Sequence, residues 1–196
     1  MVENGTKNQL KFVIEHLEPF LGKWLLIEYK HASEIVGANR TIFTNIKKKT
    51  HAAKLSRFGT VKSESFDVIF PLQELVILDP RADEPLKSQD LTDKKAIIIG
   101  GILGDHPPRG RTCQLITSRF PGAAARNLGR LQFPIDGAVY VAKLVSEGIP
   151  LEEIPIKRGL TIRVSRGHSI YLPYAYPLRD GKPLISKELI EHLLSE

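Results

Sequence analysis

The sequence predicts an α/β protein with a mostly parallel sheet flanked by helices. Two observations support this fold class. Short apolar runs rich in β-branched residues occur at 11–14, 75–78 and 96–99, and such runs are typical of buried strands. Segments with helical spacing of apolar residues occur at 24–36 and 137–147. Strands that alternate with helices along a chain favour a parallel sheet.

The length of the chain is that of one domain. At 196 residues and 42% hydrophobic composition, the chain can bury one full core but is short for two independent domains. Residues 1–9 are mainly polar, and we expect residues 1–10 to be a flexible N-terminus. Residues 11–196 are then predicted to form a single domain.

The N-terminal half carries two predicted strands and a helix. The first strand covers 11–14 and ends at Glu15 and His16, the helix of 24–36 stops at Gly37, and a short strand covers 41–44. The stretch 47–62 is basic, which is typical of a solvated helix face; the alternative is a contact with RNA or the ribosome. No assignment is made for 66–70.

The C-terminal half continues the alternation. After the strand at 75–78, Pro80 prevents helix continuation. A short helix is predicted over 114–120 and a strand over 123–129. Asp136 is a reasonable N-cap for the helix 137–147. Alternating segments at 160–164 and 169–172 predict a small hairpin, and Ser186 caps a last helix that runs through Leu194.

Composition excludes several classes of protein. The single cysteine, Cys113, cannot form an internal disulfide or a cysteine zinc site, and no metal is expected. No apolar segment approaches the roughly 20 residues that span a bilayer, and the N-terminus lacks the apolar core of a signal peptide. We therefore expect a cytoplasmic protein without a membrane partner. The net charge of +6 is compatible with an RNA or ribosomal environment but is also common in cytosolic enzymes.

The central motif is GGILGDHPPRGRT at 100–112, which follows the apolar run of the third predicted strand. Glycines at the end of a buried strand indicate that the backbone approaches a ligand closely. A phosphate-binding loop is excluded, because five residues separate Gly104 from Gly110 where that motif has four, and Arg111 stands where it has lysine. Pro107 and Pro108 also remove two N–H donors.

Three strand ends stand out by composition: Leu78 to Pro80, Gly100 to Gly104, and Leu128 to Phe133. Ligands of open α/β sheets collect outside the carboxyl ends of the strands. The sequence therefore predicts a ligand site where these three loops meet.

These motifs also carry a family resemblance. GGILGDHPPRGRT, with FVIEHLE at 12–18, LLIEY at 25–29, LDPRA at 78–82 and RNLGRLQFPIDGA at 126–138, closely resembles the knotted SPOUT methyltransferases. The branch it resembles contains the eukaryotic arginine methyltransferase of a small-subunit ribosomal protein, and the resemblance runs from about residue 11 to the C-terminus.

The resemblance implies a deep C-terminal trefoil knot and S-adenosylmethionine bound in a bent conformation. The cofactor residues it implies are Leu78, Asp79, Pro80, Gly100, Gly101, Ile102, Leu103, Gly104, Leu128, Gly129, Leu131 and Phe133. Two positions depart from the family pattern: Phe133 replaces a methionine and Gly137 replaces a threonine.

The catalytic prediction follows from an arginine acceptor, which is cationic and needs a carboxylate to orient it and to favour loss of a proton. Asp105, directly after the glycine loop, is the first candidate, with a turn-forming aspartate as the alternative. The resemblance places the first strand beside the strand that leads to the knot. Glu15 is therefore the second candidate, and His16 borders the same pocket as a hydrogen-bonding residue.

Further substrate contacts are predicted from the loop and the tail. Arg109 and Arg111 meet the methionine carboxylate or an acidic partner, or are solvated loop residues. Tyr171 and Tyr174 pack against an arginine or stack on a base. The tail from Ser165 to Tyr176 lacks the acidic residues of known family members, which leaves the acceptor open.

Three functions are therefore compared. The first is methylation of an arginine in a ribosomal or other translation-related protein, and the second is methylation of rRNA or tRNA. The third is an inert ribosome-binding module, which the retention of all three cofactor loops disfavours. Both a monomer and a knot-mediated homodimer agree with the sequence.

Overall fold

A computed structural model of the protein describes residues 9–165 and 168–195. The predicted flexible N-terminus falls mainly on residues 1–8, which lie outside the described residues. Residues 9 and 10 have no regular secondary structure and lead directly into the first strand.

Within the described residues, the bounds of the elements are as follows. The strands are β1 (Lys11–His16), β2 (Thr41–Thr44), β3 (Thr60–Val61), β4 (Leu75–Leu78), β5 (Ala96–Gly101), β6 (Ala124–Arg126), β7 (Ile156–Ser165), β8 (His168–Arg179) and β9 (Lys182–Pro183). The helices are α1 (Lys23–Val36), α2 (Lys49–Leu55), α3 (Phe66–Ile69), α4 (Arg111–Leu115), α5 (Ile135–Ser146) and α6 (Lys187–Leu194).

The main sheet has six strands in the order β3-β2-β1-β5-β4-β6, and every pairing in it is parallel. The prediction of a mostly parallel sheet is confirmed. Because the strands are parallel, their carboxyl ends share one edge of the sheet. His16 at the end of β1 pairs in register with Gly101 at the end of β5, so the two loops that follow leave the sheet side by side.

The sheet is buried on both faces, as its apolar strands require. Phe12 and Ile14 point to the face covered by α1 and α5, where they join one core cluster. Val13 points to the opposite face and joins a second cluster with Phe66 and Ile116. This alternation follows from the two-residue period of a strand.

Several predicted boundaries differ from the structure. The unassigned segment 66–70 contains the short helix α3. The strand predicted over 123–129 ends at Arg126, because the side chain of Asn127 turns the chain: its Nδ2 donates to the Ala82 carbonyl and its Oδ1 accepts from the Gly129 N–H.

Two helix starts also differ. The helix predicted over 114–120 begins at Arg111 as α4 and is followed by a 3-10 turn at Thr117–Arg119. Helix α5 begins at Ile135 after Pro134, so Asp136 lies inside the first turn and is not the N-cap. Proline suits a helix start because it lacks the N–H that would go unpaired there.

The predicted hairpin and last helix are present. The antiparallel pair β7–β8 is longer than predicted and is extended by β9. Leu172 and Tyr176 of β8 pack with Leu189 of α6 and Ile27 of α1. This packing fixes the hairpin against α1, close to the carboxyl edge of the main sheet.

The segment 127–133 is flanked on two sides by the loops that leave β4 and β5. The Leu86 N–H donates to the Asn127 carbonyl at 2.9 Å, and the Asn127 N–H donates to the Glu84 carbonyl at 2.8 Å. On the other side, a Cβ added at Gly104 would stand 2.5 Å from Gln132 Nε2. These contacts place the segment beside both loops, and the threading of a C-terminal knot stays a prediction.

Candidate active site

The loops that follow β4, β5 and β6 enclose a cleft of about 170 Å³ at the carboxyl edge of the sheet. Most of the predicted cofactor residues line it. These are Leu78, Asp79, Pro80, Gly100, Ile102, Leu103, Gly104, Leu128, Leu131 and Phe133. Three further predicted site residues, Asp105, Arg109 and Arg111, line the same cleft. The structure thus brings together residues from three separate parts of the chain.

Gly101 and Gly129 are not among the lining residues, in contrast to the prediction. A Cβ at Gly101 would collide with the hydroxyl oxygen of Tyr29, so this position is glycine because of packing beneath the sheet edge. Gly129 has a φ of +84° and open space around its Cα. There the left-handed backbone favours glycine. Gly129 lines a neighbouring cavity that shares Leu128 and Leu131 with the cleft.

Asp79 lies in the cleft wall, but its carboxylate is used by the protein itself. It is 2% exposed. Oδ1 accepts from the Arg81 N–H at 2.9 Å, and Oδ2 accepts from the Thr117 hydroxyl at 2.7 Å. Asp79 therefore shapes the turn after β4, and any contact of this residue with a ligand would be made by its backbone.

Arg111 connects the loop after β1 to the loop after β5. Its Nη1 lies 2.9 Å from Glu18 Oε1, its Nε lies 2.9 Å from Asp105 Oδ2, and its Nη2 donates to the Leu103 carbonyl. Glu18 Oε1 also accepts from the Leu103 N–H at 2.9 Å. These contacts hold Asp105 in the cleft wall. Arg111 is therefore a positioning residue and not the substrate ligand that was predicted.

Sequence reasoning missed Glu18. The available signal was its place at the end of FVIEHLE, just after the strand that pairs with the central glycine strand. The register that brings it to Leu103 could not be read from the sequence.

Glu15 is placed differently from the prediction. It shares a strand face with Val13, and its Oε2 accepts from the Thr44 hydroxyl at 2.5 Å and from the Phe66 N–H at 3.2 Å. Burial raises the pKa of this carboxyl. Because strand side chains alternate between faces, Glu15 points away from the cleft and holds the start of α3.

His16 also lies outside the cleft lining. Its Nδ1 is 3.0 Å from the Tyr29 hydroxyl, and burial, followed by the charge of His51, lowers its pKa. The hydrogen-bonding role considered for His16 agrees with this contact.

A second, smaller cavity of about 20 Å³ adjoins the cleft. The two cavities share Ile102, Leu103, Gly104 and Phe133. The smaller one adds Trp24, Glu28, Pro134 and Tyr174. The Tyr174 hydroxyl donates to the Gly104 carbonyl at 2.9 Å, so the tyrosine closes this cavity over the glycine loop. Tyr171, by contrast, is 64% exposed and lies against Gly159.

Glu28 is the buried carboxyl of the small cavity, and it was not predicted as a site residue. Oε1 accepts from the Trp24 indole N–H at 2.6 Å, and Oε2 accepts from the Ile135 N–H at 3.0 Å. Burial, and then the negative charge of Asp136, raise the pKa of Glu28 to about 8. Asp136 itself is paired with His31 Nδ1 at 2.6 Å. The signal in the sequence was a glutamate inside the apolar LLIEY of a helix.

The described residues contain no group of three or more histidine, cysteine, aspartate or glutamate side chains that could hold a metal ion. Within those residues, no helix combines the length and apolarity that crossing a membrane needs.

Comparison with known proteins assigns the family. The family model described as protein arginine N-methyltransferase SFM1-like matches residues 11–196. The chain belongs to the SFM1-like family. The protein arginine N-methyltransferase SFM1 of Saccharomyces cerevisiae is 30% identical over 198 residues, which cover 93% of each chain.

Solved structures agree with this membership. Yeast arginine methyltransferase SFM1 complexed with SAH superposes with a TM-score of 0.85 at 28% identity, and 94% of each chain is covered. The same enzyme complexed with SAM gives the same TM-score and identity over 94% of this chain and 90% of the other.

A more distant structure shows the fold alone. The dual-specific Trm10 of Thermococcus kodakaraensis has a TM-score of 0.60 at 21% identity, covering 74% of this chain and 96% of its own. The predicted fold class, a mostly parallel α/β sheet of the SPOUT type, is confirmed by these neighbours together with the observed strand order.

Proposed function

We propose that this SFM1-like S-adenosylmethionine-dependent methyltransferase modifies an arginine side chain of another protein. The observation that carries the choice of arginine is the small cavity beside the cleft, because it combines a buried carboxyl with two aromatic side chains. The relatives whose structures hold SAM or SAH, and the name of the family, support the same activity. We further propose a ribosomal or other translation-related protein as the substrate, in the cytoplasm.

The cleft fits the cofactor by its chemistry. Leu78, Leu131 and Phe133 give it apolar walls suited to an adenine ring, and Arg81 and Arg109 supply positive charge for the carboxylate of the amino-acid part. Phe133 stands where a methionine was expected and keeps that wall apolar. When bound, the cofactor supplies a methyl carbon whose bond to sulfur breaks, with the electron pair left on sulfur, as the bond to the acceptor forms.

Glu28 is proposed as the acceptor-side carboxylate. A guanidinium is cationic, with a pKa above about 12, so a buried carboxylate pairs with it and then accepts the proton that the methylated nitrogen releases. The faces of Trp24 and Tyr174 attract the same cation. The cavity of about 20 Å³ holds about one water, so we propose that an entering arginine displaces Tyr174 from the Gly104 carbonyl.

Asp105 stays a second proposed catalytic carboxylate. It lines the cleft itself, while its pairing with Arg111 offsets its charge. Glu15 is not proposed again, because strand alternation sends its side chain away from the cleft, and it lines neither the cleft nor the small cavity. Arg109, which is exposed at the cleft, stays a proposed contact with the cofactor carboxylate or the substrate.

The main competing function is RNA methylation, since a nucleobase acceptor needs no guanidinium-binding carboxylate. Purified protein should be incubated with methyl-labelled S-adenosylmethionine and either ribosomal proteins or ribosomal RNA. We expect protease-sensitive, ribonuclease-resistant label that hydrolysis releases as methylarginine. Label found in RNA alone would overturn the proposal in favour of the RNA activity, and no transfer to either substrate would favour the inert module.

The oligomeric state is a separate prediction. A monomer and a homodimer through the knot differ twofold in mass, so light scattering of the purified protein distinguishes them. The acceptor cavity is formed within one chain, and we therefore propose the monomer as the active form.

A further inference from the structure

A strongly basic stretch of the chain begins next to the active site and has no role in the proposed methyl transfer. From Ile35 to Ser63 the chain contains no aspartate or glutamate, whereas it contains seven lysines and arginines. Six of these are exposed: Lys47, Lys48, Lys49, Lys54, Arg57 and Lys62. These six side chains are called the basic face below.

The charges of the basic face are not neutralised by the protein. Among the described residues, none of the six forms an ion pair with a carboxylate. Lys47 and Lys48 bond only to backbone carbonyls, those of Ser63 and Pro19. The acidic residues that flank the run are Glu34 and Glu64, and Glu18 nearby is already paired with Arg111. A surface of one sign that has no internal partner attracts a partner of opposite charge.

An exposed aromatic ring stands beside these charges. Phe20 is 70% exposed, and Lys48 Nζ lies 4.6 Å from the centre of its ring. Exposed aromatic rings combined with lysines that follow a backbone are how proteins hold single-stranded nucleic acid, with a base stacked on the ring and phosphates on the cations. An acidic peptide would use the lysines, but its carboxylates would gain nothing from the exposed ring.

The position of this surface links it to the methyl-transfer site. Phe20 belongs to the loop after β1, and Lys47 and Lys48 belong to the loop after β2, so both leave the carboxyl edge of the sheet. The Leu17 N–H donates to the Gly101 carbonyl at 3.2 Å, and Glu18 of the same loop binds Leu103 of the cleft. A molecule bound at Phe20 would therefore lie beside the cleft.

We propose that Phe20 and the basic face bind single-stranded RNA next to the active site, as a docking partner and not as the methyl acceptor. Such a contact would select a protein substrate that is presented together with RNA. The proposal does not rest on the identity of the methyl acceptor, because it concerns binding outside the cleft.

The test is the binding of a fluorescein-labelled oligouridine of roughly ten nucleotides, measured by anisotropy at a series of salt concentrations. The double variant Lys48→Gln/Lys54→Gln should bind about tenfold more weakly, and the slope of log K against log salt should fall by about 0.7 for each lysine removed. Phe20→Ala should weaken binding about tenfold and leave that slope unchanged, because stacking releases no counterions.

The matched control is Lys94→Gln/Lys95→Gln, which removes the same charge just before β5, at the amino edge of the sheet. Circular dichroism should show all variants folded, since the changed side chains are at least partly exposed. No binding by the wild-type protein at low salt, or equal loss in the control, would overturn the proposal. A further contradicting result is an acidic peptide of the same charge that binds more tightly than the oligouridine, with an affinity that Phe20→Ala does not change. That result would identify a protein partner and would also overturn the proposal. A methylation assay run in parallel keeps failure here distinct from failure of the proposed activity.

Discussion

The cleft and the small cavity share Gly104 and Phe133 but are built in different ways. The cleft is formed by three loops, each of which directly follows a strand of one sheet. The cavity takes Trp24 and Glu28 from α1 and Tyr174 from β8. In the cleft, backbone and apolar surface dominate, whereas in the cavity a carboxyl and two aromatic rings converge.

This difference divides the proposed chemistry. Backbone loops that line an apolar cleft suit the binding of a large cofactor, which needs shape more than charge. A buried carboxyl with a raised pKa suits proton transfer at a cationic acceptor. Cofactor affinity and turnover should therefore respond to different substitutions.

The largest effect is expected from Glu28→Gln. We expect turnover to fall by about 10²-fold or more, because the amide can neither pair with a guanidinium nor accept its proton. Cofactor affinity by calorimetry should change little, since Glu28 does not line the cleft. Glu34→Gln, exposed on the same helix, is the control and should leave turnover unchanged. Parallel loss of cofactor affinity would mean that Glu28 acts only by supporting Ile135 at the start of α5.

A large effect on stability is expected from Gly101→Ala. The added methyl group collides with the Tyr29 hydroxyl, and overpacking of a core costs about 1–3 kcal/mol. Denaturant unfolding should show this loss. The double variant Gly101→Ala/Tyr29→Phe should be less destabilised than the sum of the two single variants, because phenylalanine lacks the nearer of the two colliding oxygens. Part of the loss should stay, since the added carbon also stands 2.8 Å from the Glu15 carbonyl oxygen. Purely additive losses would show that Gly101 is glycine for a reason other than this contact.

A smaller effect is expected from Leu131→Ala in the cleft, and it should change cofactor affinity instead of turnover. Removing part of an apolar wall costs about 1–2 kcal/mol of binding, so the cofactor Kd should rise about tenfold. Turnover at saturating cofactor should stay near that of the wild type, because Leu131 does not line the acceptor cavity. Leu194→Ala, on the exposed side of the last helix, is the matched control. Lower turnover with unchanged Kd would contradict the division between the two cavities.

The same contrast explains what could be predicted from the sequence. The strands, the cleft loops and Asp105 carry local signals, namely β-branched runs that end in glycine or proline. For Glu28 and Glu18 the local signals, LLIEY and FVIEHLE, do not indicate a role. Each residue acquires its role through a contact more than 80 residues away along the chain, to Ile135 and Leu103 respectively.

Glu15, by contrast, was predicted as a site residue but lies outside the cleft. Its strand lies beside the central strand as predicted, but the two-residue alternation sends its side chain to the face of Phe66. The family resemblance implied the neighbouring strands correctly, but the face to which Glu15 points could be assigned only from the observed core packing. The same holds for Gly101, whose partner Tyr29 lies on α1, which covers the opposite face of the sheet.

An effect no larger than that of Leu131→Ala is expected in the pH dependence of kcat/KM, which reports titration of the free enzyme. Because the pKa of Glu28 is raised to about 8 and its ionised form is the proposed proton acceptor, activity should rise with pH and level off above that value. The gain between pH 7 and pH 9 is roughly tenfold for one group. The range from pH 7 to pH 9 suits a measurement of this titration, because the pKa values of His16 and His51 are lowered below 6.5 and that of Tyr174 is raised above 10. The residual activity of Glu28→Gln should be flat across this range, while Asp105→Asn should keep the rise. A rise of equal size in Glu28→Gln would assign the titration to another group and remove Glu28 from the proposed proton transfer.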